Sequence, residues 1–377
     1  MKARFLMAIG AILLISAANA QDKQPVIRSN SNIAYIKEEG KANRIKWNIV
    51  PTQKLDIYGT SAKKVTFYTD VDSISFKVKP QTGVCNFTIV VNGKDSARTQ
   101  IKYQPSKLDV LKKAAKYNPS DSRYIPHFTY QAANNPNLVR IRTELKLDSI
   151  AGTGSQTLKI LNLLHWVHTT VRHDGSSTNP KIKNAIDLLN VCKAEKRGIN
   201  CRMMATMLNE CYLAMGIKSR FITCMPKELE FDDCHVINMV YSDDLKKWLW
   251  IDPTFDAYVM DEKGVLLSIQ EVRERLIKGL PLILNPSANW NNEQQQVKEE
   301  YLENYMAKNL YRFETPLSSE YNTETRESGK TIQYVELLPL DAVKQEPQKT
   351  EETNINTGVK FLNYKTNNPN LFWANPK

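Results

Sequence analysis

Residues 197–221 read RGINCRMMATMLNECYLAMGIKSRF, and this stretch predicts a helix that begins at Cys201 and ends near Gly216. Apolar side chains recur in it at helical spacing. The recurring positions are Met204, Met207, Leu208, Cys211 and Met215. A cysteine in the first turn of a helix faces unpaired backbone N–H groups and the positive end of the helix dipole, which favour its thiolate. Cys201 is therefore a candidate nucleophile, and the neighbouring N–H groups are candidates for half of an oxyanion hole.

A histidine and an aspartate follow Cys201, each beside a predicted strand. His235 lies 34 positions later, in CHVINMVY, and Asp252 lies 17 positions after that, at the end of KWLWID. Asp243 and Asp244 indicate a hairpin turn between these strands. An antiparallel hairpin brings the start of one strand opposite the end of the other, so we expect His235 and Asp252 to meet. Cys, His and Asp in this order have the composition of a thiol-nucleophile triad.

The alternating pattern of the first strand predicts the face that His235 occupies. Ile237 and Met239 share this face, and the intervening residues point the other way. We expect the His235 face to be the inner one, packed against the Cys201 helix. His235 would then take the thiol proton and later return it to a leaving group. Asp252 would hold the imidazole in one tautomer and stabilise its charged form.

These motifs resemble those of the transglutaminase-like superfamily of papain-like cysteine enzymes, over about residues 155–260. In that family a glycine shortly precedes a cysteine that opens a helix, as in RGINCRMM, and Gly-Ile and a basic residue close the helix. The family's histidine begins a strand, and its third motif is a Trp-rich strand that ends in Asp-Pro-Thr, here WLWIDPT. The resemblance implies a nucleophile at Cys201, a histidine at His235 and a third member at Asp252.

The upstream helix, which ends in HWVHTTVRHDG, is also similar to the family pattern. Trp166 in this helix is a candidate for the second oxyanion donor. Many family members have an aromatic residue directly after the histidine, where this chain has Val236.

The superfamily includes peptidases, amidases, cross-linking enzymes and members that have lost activity. The resemblance therefore implies a class of mechanism but leaves the substrate open. Our first hypothesis is an exported thiol-dependent hydrolase that acts on peptide or amide bonds of a peptide or protein substrate. The second is amine transfer to a glutamine acyl group by the same triad. The third is an inactive scaffold that binds a cell-envelope peptide or polymer.

The predicted fold class is α+β, with a papain-like or transglutaminase-like core of helices packed on an antiparallel sheet. Residues 21–105 contain the alternating segments VTFY, SISFKV and NFTIVV and predict a small β-rich accessory domain. Residues 106–137 predict a helix and a linker, and residues 138–315 the catalytic domain. Residues 316–377 are expected to form a partly flexible extension, because residues 345–358 have the composition of a mobile linker.

Composition narrows the classes of partner. The chain has 51 Lys and Arg against 40 Asp and Glu, a formal charge of +11, but no dense basic run, so nucleic acid is not expected. An acidic envelope polymer is one reading of this charge, and a solubilising surface charge is the favoured one. Beyond the first twenty residues no apolar run approaches membrane-spanning length. No metal, nucleotide or flavin motif is present, so we expect no cofactor.

Other cysteines and histidines have competing readings. Cys224 and Cys234 lie on neighbouring predicted strands, and a disulfide and two buried free thiols are about equally compatible with the sequence. His165, His168 and His173 follow one another at i, i+3 and i+8. No carboxylate completes a metal-binding set on that face, so core or surface histidines are favoured over metal ligands.

The first twenty residues have the features of a signal peptide. Lys2 and Arg4 precede the apolar run FLMAIGAILLIS, and Ala18-Asn19-Ala20 is an A-x-A cleavage site. We therefore expect the protein to be periplasmic or secreted after cleavage near Ala20.

We predict that export removes residues 1–20 and leaves Gln21 as the first residue, because the A-x-A site directly follows an apolar run of signal-peptide length. Mass spectrometry of the exported protein and of its N-terminal peptide measures this. Recovery of protein that still carries residues 1–20 would contradict both the cleavage and the localisation.

Overall fold

The structure is a computed structural model that describes residues 24–376 with four exceptions, Ala42, Gln53, Thr82 and Asp232. The predicted signal peptide, residues 1–20, lies outside the described residues. The chain divides between Pro105 and Ser106 into two units. No helix in the described part of the chain is both long enough and apolar enough to cross a membrane.

The first unit consists of two four-stranded sheets. Its strands are β1 (Val26–Ser29), β2 (Ile33–Glu38), β3 (Ile45–Asn48), β4 (Asp56–Thr60), β5 (Lys64–Tyr68), β6 (Ser73–Lys77), β7 (Val84–Val91) and β8 (Asp95–Tyr103). The strand orders are β1-β7-β8-β4 and β3-β2-β5-β6. The alternating segments VTFY, SISFKV and NFTIVV are β5, β6 and β7, as predicted. Their inward residues, such as Phe67, Phe87 and Ile89, are fully buried in one apolar core.

The second unit combines helices with a large sheet. Its helices are α1 (Lys107–Lys112), α2 (Pro136–Glu144), α3 (Leu147–Ala151), α4 (Gln156–Thr170), α5 (Ala185–Glu195), α6 (Cys201–Ala214), α7 (Ile269–Lys278), a π-helix (Glu299–Met306), α8 (Ala307–Asn309) and α9 (Pro369–Phe372). The predicted helix that opens at Cys201 is α6, and the long helix before it is α4. The predicted α+β fold with a β-rich N-terminal region is confirmed.

The strands of the second unit form one seven-stranded sheet and several short pairs. They are β9 (Thr129–Tyr130), β10 (Ser219–Met225), β11 (His235–Ser242), β12 (Lys247–Ile251), β13 (Val259–Met260), β14 (Ile283–Leu284), β15 (Asn289–Trp290), β16 (Gln294–Gln295), β17 (Arg312–Pro316), β18 (Ser318–Ser319), β19 (Thr331–Leu337), β20 (Lys349–Thr353) and β21 (Lys360–Thr366). The large sheet has the order β12-β11-β10-β17-β19-β21-β20. Its neighbouring strands are antiparallel except β19 and β21. Residues 316–377, which the sequence suggests as an extension, thus supply three of its strands.

Strand β11 is buried on both faces, because helices cover the sheet from both sides. On one face, Asn238 donates from Nδ2 to Ala205 O of α6 at 2.9 Å, and Val236 packs against Ala205. On the other face, Ile237 and Met239 belong to a core that includes residues of α7 and the π-helix. A strand that is held from both sides has little freedom to shift, so the residue at its start is positioned firmly.

Gly198 lies where two chain segments approach too closely for a side chain. The segment after α4 is bonded to the segment before α6, through Ile199 N to Arg172 O at 3.0 Å and Asp174 N to Ile199 O at 2.9 Å. A Cβ atom on Gly198 would lie 2.5 Å from Arg172 O and 2.9 Å from the Cβ of Asp174. Because the carbonyl oxygen is part of this bonded backbone, it cannot move aside cheaply.

We predict that Gly198→Ala lowers the free energy of unfolding of the second unit by about 1–3 kcal/mol, the usual cost of forcing a methyl group into a packed site. Chemical denaturation followed by tryptophan fluorescence measures this, since all the tryptophans except Trp47 lie in the second unit. Gly175→Ala is the matched control, because its Cβ would meet its neighbour, Cε1 of His173, at an ordinary 3.7 Å. The control should change stability by no more than about 0.5 kcal/mol. Unchanged stability of Gly198→Ala would contradict the prediction.

Candidate active site

Cys201 is the first residue of α6, and Asn200 caps the helix. The Asn200 side chain accepts a hydrogen bond from Met203 N at 3.1 Å, and Asn200 O accepts one from Met204 N at 3.0 Å. The bond to the Asn200 side chain uses Met203 N–H, one of the four N–H groups that a helix start leaves without an intrahelical partner. The N–H groups of Cys201 and Arg202 are two of the others. Cys201 is partly buried and packs against the cluster of Ala205, Phe221 and Val236.

His235 and Asp252 meet as the hairpin predicts. His235 begins β11, and Asp252 directly follows β12, which pairs with β11 in antiparallel register. The Nε2 atom of His235 lies 2.7 Å from Oδ2 of Asp252, and both side chains are buried. This hydrogen bond leaves Nδ1 as the ring nitrogen that can serve Cys201.

Two further donors hold the Asp252 carboxylate. Tyr301 in the π-helix donates its hydroxyl to Oδ2 at 2.6 Å, and Thr254 N donates to Oδ1 at 2.9 Å. Trp250 donates from Nε1 to the Tyr301 oxygen at 3.1 Å, so the Trp-rich strand supports the carboxylate through the tyrosine. Burial and the nearby Asp252 carboxylate raise the pKa of Tyr301 well above its usual value, so it remains a donor.

The face on which His235 lies differs from the prediction. Its neighbours on the same face, Ile237 and Met239, pack away from α6, whereas Val236 and Asn238 meet α6. The expectation that the His235 face packs against the Cys201 helix is therefore wrong. Strand alternation separates two faces but carries no information about which one a given helix covers. His235 still serves Cys201, because it is the first residue of the strand and lies at the end of the sheet.

Aromatic rings surround the His235 imidazole. The rings of Phe255 and Tyr305 have centroids 5.6 and 5.3 Å from it. The Tyr305 hydroxyl lies 3.3 Å from Nδ1 of His235. Tyr301 and Tyr305 lie four positions apart in the π-helix, and the sequence carries no signal that connects this helix to the hairpin. These two tyrosines were missed by the sequence analysis for that reason.

The electrostatics of the site favour a thiolate. Burial of the Cys201 thiol disfavours its charged form, but hydrogen bonds from His173 and His235, the charge of His235 and the N–H of Val236 favour it more. Together they lower the pKa of Cys201 to about 6. Burial disfavours the His235 imidazolium, but Asp252 and Cys201 stabilise it and raise the pKa of His235 to about 10. Both shifts favour a thiolate–imidazolium pair at neutral pH.

The other cysteines have a different character. All six cysteines, including Cys224 and Cys234, are free thiols in the structure. Burial raises the pKa of Cys85, Cys192, Cys211, Cys224 and Cys234. Only Cys201 among the described cysteines has a lowered pKa.

The three histidines of the upstream segment have three different surroundings. His165 is largely exposed and lies 2.9 Å from Asp256, and His168 is buried between Pro253 O and the Asn289 side chain. These two fit the reading as surface and core residues. His173 differs from both, because it is one of the groups that lower the pKa of the Cys201 thiol. The described residues contain no group of three or more His, Cys, Asp or Glu side chains that could hold a metal ion.

The sequence did not identify His173 as a site residue, because helical spacing grouped it with His165 and His168 on one helix face. It lies beyond the end of α4 and pairs with Ile199 in a short parallel bridge, two residues before Cys201. The segment HWVHTTVRHDG, which resembles the family pattern, contains His173, but nothing in it indicates that His173 lies near Cys201. Trp166, the predicted oxyanion donor, lies in α4 and packs against the helical core, whereas Cys201 packs with Ala205 and Val236 in another cluster.

The arrangement can perform acyl chemistry. A thiolate, an imidazolium beside it, a carboxylate on the far side of the imidazole and free N–H groups at a helix start are the parts that nucleophilic catalysis needs. The parts come from three elements: α6 supplies the thiolate and the N–H groups, β11 supplies the imidazolium, and the turn after β12 supplies the carboxylate.

A family model matches part of the chain. A sequence model described as the transglutaminase-like superfamily matches residues 144–253, a range that contains Cys201, His235 and Asp252. No curated protein matches the chain.

Three solved structures are similar to parts of the chain. A protein described as a candidate cysteine protease from Cytophaga hutchinsonii is 21% identical, with a TM-score of 0.26, and the match covers 34% of this chain and 42% of that one. Red sea bream transglutaminase is 12% identical, with a TM-score of 0.23 and coverages of 62% and 49%. A candidate protease from Parabacteroides distasonis is 11% identical, with a TM-score of 0.21 and coverages of 63% and 61%.

In all three comparisons the chain spans less than two thirds of the other protein's length. The family assignment therefore rests on the sequence model and not on these neighbours. Residues 144–253 of this chain are a domain of the transglutaminase-like superfamily.

Proposed function

We propose that the protein is an exported thiol-dependent hydrolase that cleaves peptide or amide bonds, with Cys201 as nucleophile. The observation that carries the proposal is the geometry of the site: Cys201 opens α6, and His235 at the start of β11 is held 2.7 Å from the Asp252 carboxylate. The lowered pKa of the Cys201 thiol supports it, since the other described thiols have raised pKa values. A thiol that is ionised at neutral pH and open to substrate is the usual condition of a catalytic cysteine. The substrate class that suits this chemistry is a peptide or protein, and the predicted export points to one of the cell envelope.

In the first half of the reaction, Sγ of Cys201 forms a bond to the substrate carbonyl carbon, and the carbonyl π electrons move to the oxygen. Collapse of this tetrahedral intermediate breaks the C–N bond. The proton on Nδ1 of His235 goes to the leaving nitrogen, which departs as an amine. An acyl-thioester on Cys201 remains.

In the second half, neutral His235 takes a proton from water, and the water oxygen attacks the thioester carbonyl. Collapse of the second intermediate breaks the C–S bond and releases the carboxylic acid product. The proton that remains on His235 restores the thiolate–imidazolium pair. Throughout, Asp252 holds Nε2 of His235 and stabilises the charged ring.

Amine transfer by the same triad is the alternative, and one feature favours it. The Phe255 and Tyr305 rings beside His235 form an aromatic wall that could keep water from the thioester. Against this, the Cys201 side chain is partly exposed, and the residue after His235 is Val236 and not an aromatic residue. Water is far more concentrated than any amine, so a partly open site favours hydrolysis. A third alternative, an inactive scaffold that binds an envelope peptide, is weakened by the lowered pKa of Cys201.

We predict that Cys201 is the only cysteine that brief iodoacetamide treatment modifies rapidly at pH 6, because its thiol alone ionises there. The rate should rise as the pH increases through about 6. His235→Ala removes a hydrogen bond and a positive charge from the thiolate, so its pKa should rise and labelling at pH 6 should slow by about tenfold for each unit of that rise. Peptide mapping by mass spectrometry measures each cysteine separately.

His127→Ala is the matched control for this experiment, because it removes an exposed histidine and should leave the labelling rate unchanged. Cys201→Ser should abolish the rapid labelling. Equal labelling of several cysteines, insensitive to His235→Ala, would favour the inactive scaffold over the enzyme.

We predict that hydrolysis exceeds amine transfer. The test incubates a library of glutamine-containing peptides, with envelope peptides included, in the presence and absence of a fluorescent primary amine, and reads the products by mass. Cleaved or deamidated products that disappear in Cys201→Ser are the expected result. Predominant amine-linked products would replace the hydrolase by the cross-linking alternative, and no product of either kind would favour a binding role.

A further inference from the structure

His173 is held against the start of α6 by backbone bonds. It pairs with Ile199 in a parallel bridge, and the flanking bonds join Ile199 N to Arg172 O at 3.0 Å and Asp174 N to Ile199 O at 2.9 Å. Only Asn200 separates Ile199 from the nucleophile. The absence of a side chain at Gly198 permits this close approach. The position of His173 relative to Cys201 is therefore set by the backbone and not by a flexible side chain alone.

A second segment clamps the backbone of His173 from the other side. The Asn291 side chain accepts a hydrogen bond from His173 N at 2.7 Å and donates one to His173 O at 3.0 Å. Asn291 directly follows β15, whose last residue is Trp290. The clamp thus brings Trp290 to the imidazole ring, with ring centroids 6.4 Å apart in an edge-on arrangement.

Trp290 determines the tautomer of His173. Its indole Nε1 lies 3.2 Å from Nδ1 of His173. An indole N–H can only donate a hydrogen bond, so Nδ1 must be the acceptor and carry no proton. The ring proton of neutral His173 is then on Nε2, and Nε2–H is the ring donor through which His173 can help to lower the pKa of the Cys201 thiol.

The two histidines at Cys201 are therefore suited to different tasks. His235 has the carboxylate of Asp252 at 2.7 Å from Nε2 and can carry a positive charge while it gives and takes a proton. His173 faces the Trp290 N–H donor where His235 faces a carboxylate. An imidazole whose N–H is fixed on the other ring nitrogen can donate a hydrogen bond to an anion.

We propose that His173 is a catalytic residue that donates from Nε2–H to the anion of the reaction, with Trp290 as the positioning residue that holds it in the donating tautomer. This inference rests on the proposed function of Cys201 as nucleophile. In the resting site the anion is the Cys201 thiolate. When sulfur attacks the carbonyl carbon, the negative charge moves to the carbonyl oxygen, which is bonded to the carbon that the sulfur has just reached.

Nε2–H can shift its hydrogen bond from the sulfur to the carbonyl oxygen by a small movement, because both atoms are then bonded to the same carbon. His173 would be the second donor of an oxyanion hole, beside the backbone N–H of Cys201 at the helix start. It transfers no proton in any step. His235 alone transfers the protons in both half-reactions.

Two reactions of the processed full chain separate this role from simple support of the thiolate. Displacement of iodide from iodoacetamide needs the thiolate but creates no oxyanion. Acylation by 4-nitrophenyl acetate, followed as release of 4-nitrophenolate, needs the thiolate and passes through an oxyanion. The ratio of the two rates therefore isolates the contribution of an oxyanion donor from any change in the amount of thiolate.

We expect His173→Ala to slow acylation about 100-fold more than it slows alkylation, the usual effect of removing one oxyanion donor. His173→Gln should recover much of the acylation rate, because a neutral amide N–H can occupy the place of Nε2–H. Trp290→Phe keeps the ring but frees the tautomer of His173, so we expect a smaller selective loss of acylation, about tenfold. His127→Ala is the control and should change neither rate.

Other outcomes would overturn the inference. Equal losses of both rates in His173→Ala, without recovery in His173→Gln, would mean that His173 only supports the thiolate or the fold. A selective loss of acylation in Trp166→Phe, together with none in the His173 variants, would assign the second donor to Trp166. Failure of the unchanged protein to react at Cys201 with either probe would overturn the proposed function itself, which is a distinct result from a changed ratio in variants that still alkylate.

Discussion

The hydrogen bond between Nε2 of His235 and Oδ2 of Asp252 is the interaction on which the candidate active site depends. Both side chains are essentially inaccessible to water. A buried charge without a partner destabilises a fold by several kcal/mol, roughly 3–5 when one member of a pair is removed. In this structure the Asp252 carboxylate also accepts hydrogen bonds from the Tyr301 hydroxyl and from the backbone N–H of Thr254. The His235–Asp252 pair therefore stabilises the fold, in addition to any role that it has in catalysis.

The position of this pair follows from the burial of β11. Helix α6 covers one face of the strand, and α7 and the π-helix cover the other. His235, at the first position of the strand, belongs to the π-helix face by alternation but lies at the edge where α6 begins. This geometry lets one imidazole contact a carboxylate within the core while it faces the partly buried Cys201 thiol. A residue two positions further along β11 could not do both.

The Cys201 sulfur is where separate chain segments converge. The segment after α4 contributes His173, β11 contributes His235 and the N–H of Val236, and α6 contributes Cys201 itself as its first residue. Hydrogen bonds to an anion are stronger where water is partly excluded. Gly198 makes the convergence sterically feasible, since any side chain there would separate the segment of His173 from the start of α6.

The local pattern of the sequence predicted much of this protein. Helical periodicity identified α6 and its start at Cys201, and alternation identified β11 and β12 with His235 and Asp252 at their ends. These features are local, because the period of the apolar residues and the positions of turns depend on near neighbours in the chain. The hairpin is short, so even the contact between His235 and Asp252 followed from it.

Only the tertiary structure decided which face of β11 meets α6, which histidine of the upstream segment reaches Cys201, and which tyrosine supports Asp252. Each of these contacts joins segments that are distant in the chain: Tyr301 lies 49 positions after Asp252, and Trp290 lies 117 positions after His173. A pattern of apolar and polar residues predicts whether a side chain is buried or lies at a turn. It does not predict which distant residue that side chain contacts. Partners are chosen when elements pack, and packing depends on the shape and volume of the whole core.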